Sequence, residues 1–195
     1  MATSLKALAL TCTLKSSPEA SSSDLIARQV LDELRTQDVT GELVRVVDFD
    51  VPPGIATDLG QGDQWPTIRE RVLDADILLL AVPTWLGHPS SIAQRVLERL
   101  NAEEHPSVYG KVGVVAVVGN EDGAHKIIAD CFQALNDIGF TVPAGGGTYW
   151  NNEAMNPKDY LDLDSTPDAV AATTRTLAAN AAHLARLLRG SGYPT

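Results

Sequence analysis

Cysteine is scarce in this chain of 195 residues: Cys12 and Cys131 are the only two, far apart and in no CxxC or zinc-type spacing. That excludes a disulfide framework or structural zinc site and predicts reduced thiols in a reducing compartment. Positive charge is also in deficit, with 15 Lys+Arg against 25 Asp+Glu and a net charge of -10. A general affinity for nucleic-acid phosphates or anionic membrane would run against that field, so any anionic ligand requires a local solution. Long apolar runs are missing too. Ile77 to Val82 and Val112 to Val118 are the longest, well below the roughly 20 residues that cross a bilayer. Leu5 to Leu10 is short and leads straight into polar residues, unlike a signal peptide, so the expectation is a cytoplasmic protein without a membrane span. Aromatic residues make up only 5% of the chain, so the places where they gather carry information.

The 44% of hydrophobic residues suffices for one globular domain with a substantial core. Leu5 to Leu10 reads as a first strand, followed by a Ser-rich stretch and then helical periodicity at Leu25, Ile26, Val30, Leu31 and Leu34. Glu42 to Val47 reads as a second strand, ending in the Pro- and Gly-containing stretch from Asp48 to Gly62. Pro66, Ile68, Val72 and Leu73 suggest a short helix. The unit then repeats: strand Ile77 to Val82, loop Pro83 to Pro89, and a helix with Ile92, Val96, Leu97 and Leu100 on one face. Val112 to Val118 is the fourth strand, Gly119 to Gly123 a loop, and Ile127, Ile128, Cys131 and Leu135 mark a helix that Gly139 stops. Phe140 to Val142 begins a fifth strand, and Thr166-Pro167-Asp168 starts a last helix, with Thr166 as the capping hydroxyl, running to about Arg189. Apolar strands without polar alternation, alternating with helices, imply a doubly wound α/β fold around a buried parallel sheet. The stretch from Ala144 to Ser165 is long for a plain connection.

Ligands of open α/β sheets sit beyond the carboxyl ends of the strands, which directs attention to the loops there. After the first strand, Thr11 to Asp24 gathers hydroxyls at Thr13, Ser16, Ser17, Ser21, Ser22 and Ser23 around Lys15, just before a helix start. Free amides and a positive dipole end suit a phosphate there; the same serines equally suit simple helix capping. After the third strand, Pro83-Thr84-Trp85-Leu86-Gly87-His88-Pro89 is a stiff loop. Trp85 either offers an indole to a flat heteroaromatic ring or covers the sheet end as core. After the fourth, Gly119, Asn120 and Gly123 either allow close backbone approach to a ligand or serve a tight turn. Gly145-Gly146-Gly147 leads into Tyr149 and Trp150, which, with Trp85, are expected in loops on one rim and so to suit a planar ligand.

Spacing removes several other chemistries. No G-x-G-x-x-G follows the first strand, Gly110-Lys111 is followed by Val112 and so is no P-loop, and no G-x-S-x-G elbow occurs. His88, His105, His125 and His183 show no metal-ligand spacing, so no metal is expected. His183 reads as structural, and His88 and His125 as rim residues that either touch substrate or hydrogen-bond at the surface.

Taken together, the three loops resemble the NADPH-dependent FMN reductase family of flavodoxin-like proteins, from Leu5 to about Trp150. Pro83, Thr84, Trp85, Leu86 and Gly87 match that family's second loop well, whereas its first loop, commonly Gly-Ser-Pro-Arg then Ser-Asn-Thr, is replaced by Cys12-Thr13-Leu14-Lys15 and Ser21-Ser22-Ser23. The resemblance implies a five-stranded sheet of order 2-1-3-4-5. It also implies an FMN phosphate held by Thr13, Ser21, Ser22 and Ser23 with Lys15 assisting. The segment Pro83 to Gly87 would lie along the ribityl chain and ring, with Gly119, Asn120 and Gly123 bordering the flavin. The implied activity is transfer of electrons from NADPH or NADH through FMN to a small acceptor, a flavin or quinone, in a ping-pong cycle without a side-chain acid or base. A homodimer or homotetramer is implied as well. The alternatives are a flavodoxin-type electron carrier that does not itself oxidise a nicotinamide, and a cofactor-free interaction domain on the same fold. Against the carrier, Thr11 to Ser23 contains no glycine.

Overall fold

Leu8, Leu10, Leu78, Leu80, Val115 and Val117 bury one face of a sheet, and Ala7, Ala9, Leu79, Ala81, Val114 and Ala116 the other. Both faces of these strands are therefore covered, as runs without polar alternation require. The computed structural model describes residues 4–103, 107–153 and 156–194. Strands β1 (Leu5–Thr11), β2 (Val39–Arg45), β3 (Ile77–Trp85), β5 (Val112–Gly119) and β6 (Gly147–Asn151) form one parallel sheet in the order β2-β1-β3-β5-β6. β4 (His88–Pro89) is a two-residue stub antiparallel to the end of β3. With the stub set aside, the order is the flavodoxin-like one. Helices α2 (Trp65–Asp74), α3 (Ser91–Leu100) and α4 (Ala124–Ile138) contribute to one core, α1 (Ser22–Arg35) and α5 (Asp168–Gly190) to the other.

Four sequence expectations are corrected. The second strand begins at Val39 and ends at Arg45, followed by a 3-10 turn over Val46–Asp48. Val39, Thr40 and Gly41 lie outside the expected bounds because Thr40 and Gly41 are exposed on an edge strand and carry no apolar signal. Pro83, Thr84 and Trp85 are the end of β3 and not a loop, since a two-residue turn at Leu86-Gly87 folds the chain back and pairs Trp85 with His88. Phe140 to Val142 makes only one bridge, Thr141 to Val112. Pro143 then lacks an amide for the ladder and a turn closes from Gly146 N to Pro143 O (3.0 Å), so the fifth parallel strand starts at Gly147. Tyr149 and Trp150 are thus strand residues, on opposite faces. Thr166 does not cap the last helix: Pro167 occupies the cap position, and the Thr166 hydroxyl accepts from Gln29 Nε2 (2.8 Å).

Gly139 ends α4 as expected, at φ 122°. No helix among the described residues is long and apolar enough to cross a membrane.

Candidate functional site

A hollow of about 240 Å³ opens at the carboxyl ends of β1, β3 and β5. From the β1 side Thr13, Leu14 and Lys15 line it, with Ser21, Ser22 and Ser23 at the start of α1. Ser21 is the N-cap, its hydroxyl accepting from Asp24 N (3.4 Å). The Ser21 hydroxyl is thus taken up by capping. The amides of Ser22 and Ser23, in the first turn, have no acceptor among the described residues.

The loop between β1 and α1 is fixed from behind. Cys12 N donates to Ala81 O (2.8 Å), and Ser90 Oγ donates to Cys12 O (2.6 Å). Ser17 donates to both oxygens of Asp48, from its amide (2.8 Å) and hydroxyl (2.5 Å). The Ser17 hydroxyl bond is the main cause that holds the Asp48 carboxyl below the usual range. Arg45, at the end of β2, donates to the carbonyls of Lys15 (3.2 Å) and Glu19 (2.8 Å) and pairs with Asp24 (2.5 Å). One guanidinium thus joins a strand end, the loop and the first turn of α1. Arg45, Asp24 and Asp48 carry no ligand signal in the sequence: Asp24 reads as a first-turn acid of a helix, and Arg45 and Asp48 as charges at the end of a strand. Lys15 is partly exposed, its ammonium 3.5 Å from Glu19.

The second wall is the end of β3, where Pro83, Thr84 and Trp85 line the hollow. Thr84 is buried, and its Oγ1 has no hydrogen-bond partner among the described residues. Val118, Gly119, Asn120 and Glu121 form the third wall. A Cβ at Gly119 would stand 2.6 Å from Thr84 Cβ and 2.8 Å from its hydroxyl, so only glycine leaves that hydroxyl room. Leu86, Gly87 and Gly123, expected at the ligand, are not on the wall of the hollow. They shape the hairpin beside it instead. Leu86 (φ 53°) and Gly87 (φ 71°) form a turn with both central residues left-handed. Leu86 N donates to Glu121 Oε1 (2.7 Å), and a Cβ on Gly123 would lie 2.8 Å from Gly87 Cα.

The fourth wall, Trp150, Asp159 and Tyr160, was not expected as such. Tyr160 donates its hydroxyl to Gln29 Oε1 (2.7 Å) on α1, and its ring centroid is 5.4 Å from that of Trp150. The only sequence hint was the length of the connection from Ala144. Of the three expected rim aromatics, Trp85 and Trp150 meet at the hollow; Tyr149 faces away and packs edge-on against exposed His125 (4.8 Å). His88 is exposed on the hairpin, 3.5 Å from Lys126 Nζ, and His183 is exposed on α5. His105 lies outside the described residues. Among those described, no group of His, Cys, Asp or Glu is arranged to hold a metal. Both cysteines are buried, and burial pushes the Cys12 thiol up strongly and the Cys131 thiol up to about 12, so neither is a poised nucleophile.

These walls can cradle an elongated ligand with an anionic end at the α1 amides and an apolar, planar part against Trp85 and Gly119. A family model described as NADPH-dependent FMN reductase matches residues 5–155. The 8-demethyl-8-aminoriboflavin-5'-phosphate synthase of Streptomyces davaonensis is 30% identical over 210 aligned positions, which cover 98% of this chain and 81% of that protein. A crystal structure of RosB with a bound 8-demethyl-8-formylriboflavin-5'-phosphate intermediate superimposes with a TM-score of 0.89 at 30% identity, covering 98% of this chain and 82% of that one. The divalent metal cation transporter MntH of Mycobacterium bovis is 34% identical over 199 positions, covering 95% of this chain; the chain spans only 29% of that relative's length.

Proposed function

The chain belongs to the NADPH-dependent FMN reductase family, and from that premise we propose that it binds FMN in this hollow and passes electrons from NADPH or NADH to a small acceptor such as a flavin or quinone. The observation that carries the reading is the Thr84 hydroxyl, buried and unpartnered among the described residues, on a residue that lines the same hollow as Ser22 and Ser23 with their free amides. A buried polar group without a partner costs about 1–3 kcal/mol, and this one belongs to a residue lining the hollow, which supports a ligand that supplies the partner. Bound FMN would supply the hydride and electron chemistry.

The chain's own residues do the positioning. Ser22 and Ser23 present amides to the phosphate at the positive end of α1, Thr13 adds a hydroxyl, and Lys15 adds a positive charge. This is the local solution that an acidic protein needs. Arg45 and Asp48 keep the loop in shape while leaving those amides free. Pro83, Thr84, Trp85, Gly119 and Asn120 border the ring, and Trp150 with Tyr160 closes the side toward α1. Leu86, Gly87 and Gly123 hold the hairpin that presents Trp85. The exposed side chains of Leu14, Trp85 and Leu86 at the mouth support the homodimer or homotetramer expected of the family.

A second reading has a specific basis: the relative of 30% identity is named for making a modified riboflavin phosphate. On it, the flavin phosphate is itself the substrate, held by the same residues. One experiment separates the two. Purified protein is loaded with FMN, mixed anaerobically with NADPH or NADH, then given a quinone, and the flavin is recovered for mass spectrometry. Bleaching, reoxidation by the quinone and recovery of unaltered FMN are expected. An altered flavin without nicotinamide oxidation supports the second reading. FMN binding with neither nicotinamide oxidation nor an altered flavin leaves the electron carrier, and protein that fails to bind added FMN overturns all three.

A further inference from the structure

The hollow contains a carboxylate that would repel a phosphate. Asp159 lines it at the start of the 3-10 turn Tyr160–Asp162, past the end of the stretch matched by the family model. The turn is fixed on two sides: buried Tyr160 is bonded to Gln29 on α1 and stacked near Trp150, and Asp159 N donates to Asp162 Oδ2 (2.8 Å). Asp162 N in turn donates to Asp159 O (3.0 Å), so the turn closes through the Asp159 backbone and most of the acceptor capacity of the Asp159 carboxylate stays open. Asp159 forms no ion pair among the described residues.

An ionised carboxylate only accepts hydrogen bonds, so whatever it meets in the hollow must donate. A phosphate offers no donor and would be repelled. The hydroxyls of a polyol chain are donors, and such a chain is what joins phosphate to ring in FMN. We propose that Asp159 is the polyol-reading residue of this site, accepting hydrogen bonds from the ribityl hydroxyls and selecting flavins with a hydroxylated chain. The proposal rests on the flavin reading above and adds the specificity that reading leaves open.

The test compares FMN with a phosphopentyl flavin, in which hydrogens replace the secondary hydroxyls of the chain, by fluorescence titration of wild type and Asp159→Asn. Asparagine removes the charge and keeps one acceptor oxygen, and Asp159→Ala serves as the stronger variant, with thermal melts of both. The expected result is weaker FMN binding by about tenfold, with the phosphopentyl flavin bound as tightly as by wild type or more so. Tighter FMN binding by the variants would place the carboxylate beside the phosphate and overturn the proposal. Equal losses for both ligands would overturn it as well, since the contact would then be to the ring or merely structural. Unchanged FMN affinity with a raised KM for NADPH would overturn it in favour of the nicotinamide ribose. Failure of wild type to bind either flavin is a separate result, and it removes the function proposed above.

Discussion

The two ends of the sheet differ in how they treat their polar groups. At the amino end nearly every charge visible in the structure is matched: Lys6 with Asp74 (2.8 Å), Arg189 with Asp76 (2.5 Å), and Lys6 N with Asp76 Oδ2 (2.7 Å). Lys111 closes the last turn of α2 by donating to Leu73 O and Ala75 O, both at 2.7 Å. At the carboxyl end groups are left open. Among the described residues, the buried side-chain polar atoms without a partner, on Thr11, Asp24, Trp65 and Thr84, belong to the ends of β1 and β3 or the first turns of α1 and α2, all of which parallel topology places at that end. One end is satisfied by the chain itself; at the other, Thr84 brings its open hydroxyl to the residues that line the hollow, where the proposed flavin would sit.

Substitutions can break this division, and the largest effect is expected away from the hollow. Arg99 and Asp63 form a fully buried pair (2.6 Å), with Arg99 also donating to Ala56 O and Pro52 O and lying against Trp65. Asp63→Asn strands the guanidinium and should cost about 3–5 kcal/mol by denaturant unfolding, while FMN affinity of the remaining folded protein is unchanged. Burial alone would raise the Asp63 pKa, but hydrogen bonds from Arg99, Leu59 N and Trp65 N outweigh it and the net shift is downward. A lowered folded pKa gives stability that is present above the ordinary carboxylate range and lost as pH falls through the folded value. The variant should therefore lose less stability on acidification than wild type; equal acid sensitivity would contradict the assignment.

Next is Ser22→Pro. Ser22 is the first helical residue, where proline is tolerated and the preceding Ser21 is already extended (φ -135°, ψ 127°), so the change removes the amide donor and the Ser22 hydroxyl without disturbing the helix start, and Ser22→Ala reports the hydroxyl alone. FMN binding should weaken by roughly tenfold or more with an unchanged melting temperature. An unaltered dissociation constant would exclude that amide from the phosphate site. The smallest effect, and the sharpest, is expected from Thr84→Val. It swaps an unpartnered hydroxyl for a methyl of the same shape, so the ligand-free protein should be as stable or slightly more so, while FMN binds several-fold more weakly. Loss of stability in the ligand-free state would show that the hydroxyl already has a partner.

Much of this division is legible in the residues alone. Strands buried on both faces announce themselves as Ile77 to Val82 and Val112 to Val118, and hydroxyls before a helix start place Ser21 to Ser23 correctly on the hollow. What stays hidden depends on contacts between distant segments. The exposed start of β2 has no hydrophobic pattern, because an edge strand open to water needs none. Leu86 gives no sign of its left-handed backbone, since the turn is enforced by Glu121 and by Gly123 more than thirty residues away. The Trp150–Asp159–Tyr160 wall depends on Gln29, which lies 131 residues from Tyr160. The fold follows from local pattern; half of the site follows from which strand ends the crossovers bring together.

Arg45 has a kinetic consequence. Because its guanidinium already joins the loop carbonyls to Asp24 before any ligand arrives, the amides proposed to receive the phosphate would not have to be gathered during the encounter. Little ordering entropy is then spent at that step, and capture is preorganised, so the rate of flavin uptake should be set by diffusion through the mouth and not by rearrangement of the loop.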